Sequence, residues 1–181
     1  MTRALIVIDV QESFRQRPNW AEISDPDIAE KVGRLVDAAR AAGDQVIWVL
    51  HTEPGSDTVF DPASGHVRLI DGLKPEDGEP TLYKTAHNAF TTTNLAQRLT
   101  AAGIRELLIC GIRTEQCCET TARVGSDLGY DITFVTEATA THPITIGGTT
   151  LGVDEIKQRT EFALAGRFAT IASIADLTGL S

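Results

Sequence analysis

No run of basic residues occurs anywhere in this chain. Lysine and arginine together number 16, against 25 aspartates and glutamates, for a formal net charge of −9. A surface with that balance repels phosphate backbones and anionic headgroups, so neither nucleic acid nor a membrane surface is expected as a partner. Long apolar runs are also missing. The longest near the start, residues 4–8, is too short for a signal sequence core or a membrane span. Cysteine is scarce. Three residues, two of them adjacent, make no disulfide framework, and reduced thiols point to a cytoplasmic protein. Neither an internal repeat nor a second domain is visible, so residues 1–181 read as one domain, long enough to bury a substantial core. Hydrophobic residues make up 42%, which is ordinary for a globular protein and argues against disorder.

Between these limits the chain alternates strand and helix patterns. Residues 3–9, RALIVID, form a continuous β-branched apolar run, as in a strand buried on both faces of a parallel sheet. A loop containing Pro18 and Trp20 follows. Ser24 then opens a helix, with Pro26 in its first turn, an apolar stripe of Ile28, Val32, Leu35, Val36 and Ala39, and Gly43 as its stop. A second strand spans 45–50, with His51 at its end. Residues 52–79 show no periodicity and read as a functional loop or lid. A short strand over 80–84 ends in Lys84, and a helix is predicted over 92–102. After the stretch 107–130 come a strand over 131–135, a Gly147-Gly148 loop, a helix over 154–165, a strand over 167–172 and a short helix over 173–177. This order predicts an α/β fold, a three-layer αβα sandwich around a mostly parallel, Rossmann-like sheet of about six strands.

The stretch 107–130, LLICGIRTEQCCETTARVGSDLGY, organises the rest. A buried strand breaks at Gly111, a short turn follows, and Cys117 and Cys118 fall in the first turn of a helix. A thiol there meets the positive end of the helix dipole at the carboxyl edge of a sheet, where open α/β folds place ligands. Thr114 is the expected N-cap, with its hydroxyl on the Gln116 N–H. Asp9 and Lys84 also end strands. Together the three suit acyl transfer. Asp9 moves the proton, Lys84 stabilises a thiolate with a depressed pKa, Cys117 attacks a carbonyl, and backbone N–H groups of the turn hold the oxyanion. Each residue also has a plain structural reading: a strand-end aspartate, a solvated lysine, a packed cysteine.

Three ordered motifs carry a resemblance: LIVIDVQESF at 5–14, KTAHNAF at 84–90 and GIRTEQCC at 111–118, followed by EATAT at 137–141. The chain resembles the isochorismatase-like cysteine hydrolases, which include nicotinamidases and ureido amidases. That resemblance implies Asp9, Lys84 and Cys117 as a triad. It implies a cis peptide just before Arg113, with the N–H groups of Arg113 and Cys117 as the oxyanion hole. It also implies a homo-oligomer, a dimer or tetramer. The activity implied is hydrolysis of a C–N bond in a small amide or ureido compound through a thioester. The alternatives are vinyl-ether or ester hydrolysis with Asp9 as general acid, or a non-catalytic binding module. Nicotinamidases carry an Asp-x-His metal motif where this chain has His51-Thr52-Glu53, so no metal and no cofactor is expected, although His51, Glu53, Asp57 and His66 could be imagined as ligands. Phe14, Trp20, His87, Phe90 and Thr114 are candidate contacts to a small-molecule substrate.

Overall fold

The computed structural model describes residues 3–178, so residues 1–2 and 179–181 of the expected domain lie outside the described residues. β1 (Arg3–Ile8) is followed by a short helix α1 (Glu12–Arg15), helix α2 (Ile28–Ala42) and β2 (Gln45–His51). After the long loop come β3 (Thr81–Lys84), α3 (Leu95–Ala101) and β4 (Glu106–Ile112). A π-helical turn, Thr114–Cys118, leads into α4 (Glu119–Asp127), then β5 (Asp131–Ala140). A small hairpin of β6 (Ile144–Ile146) and β7 (Thr149–Leu151) precedes α5 (Val153–Leu164), β8 (Thr170–Ile171) and α6 (Ile174–Thr178).

Six strands form one sheet in the order β3-β2-β1-β4-β5-β8, and every pairing in it is parallel. Alternation along β1 sorts the two faces. Ala4, Ile6 and Ile8 join Leu95 and Leu99 of α3 and Ala122 of α4, while Leu5 and Val7 join Ile28, Val32, Leu35 and Val36 of α2. Period-two side chains on a strand covered on both sides produce that continuous apolar run. The expected three-layer α/β sandwich is the observed fold.

Several boundaries differ from the pattern. Helix α2 starts at Ile28, not Ser24, because Ser24 is spent on the chain end of β5: its N–H donates to the Thr141 carbonyl and its hydroxyl accepts the Thr141 N–H. Helix α3 starts at Leu95, not at 92, because the Thr92 hydroxyl instead accepts the N–H groups of Thr85 and Ala86 behind Lys84. β5 does not stop at 135. It runs on to Ala140 after a register irregularity against β4. The Gly147-Gly148 loop is the tip of the antiparallel β6–β7 hairpin, and the last strand shrinks to two residues.

Candidate active site

The sheet order reverses at β1, whose neighbours are β2 on one side and β4 on the other, and this is where open α/β sheets form a crevice at their carboxyl edge. Asp9 is the first residue after β1. Its backbone is left-handed (φ 53°), a conformation that Asp tolerates better than most side chains. The turn is pinned by its N–H to the Val49 carbonyl at 2.8 Å and by the Gln11 N–H to its own carbonyl at 2.8 Å. Lys84 is the last residue of β3 and pairs in register with His51. Cys117 sits in the π-helical turn after β4. Turns of this kind recur at functional sites because they re-aim side chains within a helix. The peptide between Ile112 and Arg113 is cis.

Three separate chain segments thus bring Asp9, Lys84 and Cys117 into one buried contact. Lys84 Nζ lies 2.7 Å from Asp9 Oδ2, and both side chains are fully buried. Nζ also lies 3.5 Å from Cys117 Sγ and donates to the Ala86 carbonyl at 3.2 Å. Cys117 keeps 7% exposure, whereas Cys110 and Cys118 keep none. Asp9 Oδ2 is taken by the Lys84 ammonium, and Oδ1 has no hydrogen-bond donor. An under-served buried carboxylate is a ready proton acceptor.

Burial sets the electrostatics. It raises the Asp9 carboxyl above the usual carboxylate range, with the Lys84 ammonium opposing. For Lys84, burial would lower the pKa, but the Asp9 carboxylate leads the contacts that outweigh it and the ammonium is held more tightly than usual. The Cys117 thiol is pushed up to about 12 by burial and then by Asp9, against Lys84. This corrects the expectation of a depressed thiol pKa. The helix dipole and one ammonium do not compensate for withdrawal from water beside a carboxylate, so Cys117 rests as a thiol.

The other predicted residues divide. His87 stacks on His51 with ring centroids 6.5 Å apart, and Phe14 meets Phe60 edge-on at 5.1 Å, so both join a wall that reaches Lys84 through His51. Phe90 does not. It is buried in the core, stacked on Tyr130 at 5.7 Å and packed beside Gly125. Trp20 packs half-buried against the α2 face of the core. Thr114 is not the N-cap: its hydroxyl donates to Thr139 Oγ1 at 2.8 Å, and Thr139 donates onward to the Thr136 carbonyl. The Gln116 N–H goes to the Arg113 carbonyl. The Arg113 guanidinium pairs with Glu115 at 2.7 Å beside the turn, and burial lowers its pKa.

Among the described residues, no three of His, Cys, Asp and Glu are grouped as a metal site requires. Within the imagined ligand set, His51 and Glu53 are adjacent at 3.4 Å. Gln11 and Phe60 are site-lining residues that sequence reasoning left without a role, and His51 was weighed there only as an imagined metal ligand. For His51 the signal was available, since it ends a strand as Lys84 does.

The all-parallel sheet of this α/β sandwich brings Cys117, Lys84 and Asp9 into one buried contact at its switch point. The isochorismatase domain family matches residues 3–173, and the chain belongs to that family of hydrolases. It is 34% identical to streptothricin hydrolase of Streptomyces noursei over 78% of this chain and 56% of that one. It is 27% identical to the ureidoacrylate amidohydrolase RutB of Agrobacterium fabrum over 98% and 89%. The crystal structure of a cysteine hydrolase from Pseudomonas syringae pv. phaseolicola superimposes with a TM-score of 0.89 at 25% identity, covering 98% of this chain and 91% of that one. No helix among the described residues is long and apolar enough to cross a membrane.

Proposed function

We propose that the chain is a cysteine amidohydrolase that cleaves a C–N bond of a small amide or ureido compound through a thioester. The observation that carries this reading is the buried contact of Asp9, Lys84 and Cys117. Two relatives, one named a ureidoacrylate amidohydrolase and the other a streptothricin hydrolase, support it.

The steps follow from the arrangement. Asp9, raised by burial and with no donor on Oδ1, takes the Cys117 proton as the sulfur attacks the carbonyl carbon. Lys84 stays protonated and faces the sulfur as negative charge builds there. The backbone N–H groups of Arg113 and Cys117 serve the oxyanion. Asp9 then returns the proton to the leaving nitrogen, and ammonia or an amine departs as the thioester forms. Water adds to the thioester carbonyl and gives its proton to Asp9, which passes it to the departing sulfur. The acid product leaves and the thiol is restored.

Ammonia release from a panel of small primary amides and ureido acids tests the reading. Turnover by the wild type that disappears in Cys117→Ala supports it. Turnover that survives Cys117→Ala but not Asp9→Asn would instead support Asp9 acting alone as general acid on an ether or ester.

Self-association is part of the same reading. Ile146, Leu151 and Phe162 are exposed on the hairpin and on α5, and an isolated two-stranded hairpin is marginal in water. A molar mass from light scattering equal to one chain would reject it.

A further inference from the structure

His51 ends β2 directly across from Lys84, and its surroundings hold it in place and favour one tautomer. The buried amide of Gln11 grips its backbone, accepting the His51 N–H at 2.7 Å and donating to the His51 carbonyl at 3.0 Å. The ring is held by Phe60 edge-on at 5.6 Å and by His87 stacked at 6.5 Å. Nε2 faces Glu53 Oε1 at 3.4 Å, and the other Glu53 oxygen takes the Thr58 hydroxyl at 2.9 Å. A carboxylate only accepts, so the ring hydrogen belongs on Nε2 and Nδ1 is left as an acceptor. Nδ1 stands 3.3 Å from Lys84 Nζ.

An ammonium has three hydrogens. Four acceptors surround this one: Asp9 Oδ2 at 2.7 Å, the Ala86 carbonyl at 3.2 Å, His51 Nδ1 at 3.3 Å and Cys117 Sγ at 3.5 Å. The sulfur is the most distant and, as a neutral thiol, the weakest. We propose that His51 is a positioning residue for Lys84: it takes one ammonium hydrogen, withholds it from Cys117 at rest, and keeps the ammonium turned toward Asp9. The hydrogen becomes available to sulfur only when the thiolate forms. This inference rests on reading Asp9, Lys84 and Cys117 as the reactive centre. It also links residues 53–58 of the long loop to that centre through Thr58, Glu53 and His51.

The titratable groups facing the ring are Lys84 from β3, Asp9 from the end of β1, Glu53 from the long loop and His87 from the loop after β3. Burial and the Lys84 charge keep the imidazole below its ordinary pKa, against Asp9 and Glu53, so at neutral pH it is available as an acceptor.

The test is the rate of iodoacetamide labelling at Cys117, followed by peptide mass spectrometry across neutral to mildly alkaline pH. It needs no substrate. In His51→Leu the freed hydrogen turns to sulfur and lowers the thiol pKa by about one unit, the worth of one charge-assisted hydrogen bond. Ten times more thiolate, offset by its lower nucleophilicity, gives labelling about threefold faster at a fixed pH. Ammonia release, on whichever amide the panel identifies, falls in the same variant. A more reactive thiol in a slower enzyme is not what a packing defect produces. His51→Asn restores an acceptor and labels at the wild-type rate. Glu53→Gln, at a half-exposed position, frees the tautomer and shifts labelling the same way by less. Labelling unchanged or slowed in both His51→Leu and Glu53→Gln overturns the proposal. Turnover by Cys117→Ala would instead defeat the reading of the centre itself, a separate result.

Discussion

Gly111 lies against the carbonyl of Ile8, its partner in register across β4 and β1. A Cβ at position 111 would stand 1.9 Å from that oxygen. The backbone there has a φ of 130°, which side chains rarely adopt. The strand that leads into the Cys117 turn can therefore approach the strand carrying Asp9 only if residue 111 has no side chain.

Gly111→Ala is expected to be among the most destabilising single substitutions, by roughly 4 kcal/mol or more, because the obstacle is backbone and cannot rotate away. Gly147→Ala is the comparison. It also has positive φ, but an added Cβ there meets nothing within 4 Å, so its cost is about 1 kcal/mol. Denaturant midpoints of the two variants measure the difference, and equal midpoints would refute the close approach.

Glu119, two residues past Cys117, fastens α4 to α5. It is 4% exposed and accepts from Arg123 Nε at 3.0 Å, Arg123 Nη2 at 2.8 Å, Arg159 Nη1 and Thr160 Oγ1 at 3.0 Å. Glu119→Gln keeps the shape but exchanges one acceptor oxygen for a donor that faces other donors. Because both arginines are partly solvated, the expected loss is moderate, about 2 kcal/mol. The midpoint in urea checks it, and a loss below about 0.5 kcal/mol would mean the cluster is only surface decoration.

How much of this was legible beforehand depends on whether a signal is local. The strand termini at Asp9 and Lys84 and the helix start near Cys117 are written in continuous apolar runs and in Gly111, so the layers and the convergence of the three residues could be read. Ser24 and Thr92 both look like helix caps, yet their hydroxyls are taken by Thr141, Thr85 and Ala86, partners that only the fold supplies. The position of Phe90 turned on which way a loop aromatic points, and the Tyr130–Gly125 niche that receives it comes from an element 35 residues downstream or more. The thiol pKa was misjudged because helix position is local while burial is not. The dipole could be read from sequence, and the desolvation beside Asp9 could not.

Burial separates the two adjacent cysteines. Cys118 is wholly enclosed among core side chains, and burial first, then the neighbouring thiols and Asp9, raises its pKa well above the ordinary thiol value. Cys117 alone touches Lys84 and keeps a small opening. Cys117→Ala is therefore expected to abolish ammonia release without a large change in stability. Cys118→Ala keeps most of the activity and costs about 1 kcal/mol of packing. With its pKa near 12, Cys117 in the wild type labels slowly with iodoacetamide at neutral pH, and the rate climbs about tenfold per pH unit because the thiolate fraction does. Cys110 and Cys118 stay unlabelled while the protein is folded, since neither has any exposure and burial raises both. Rapid labelling already saturated near pH 7 would mean that water or the helix dipole controls the thiol rather than Asp9. If Cys118→Ala is the inactive variant and Cys117→Ala still turns over, the nucleophile lies on the other face of the turn, and the proton path from sulfur to Asp9 has to be redrawn.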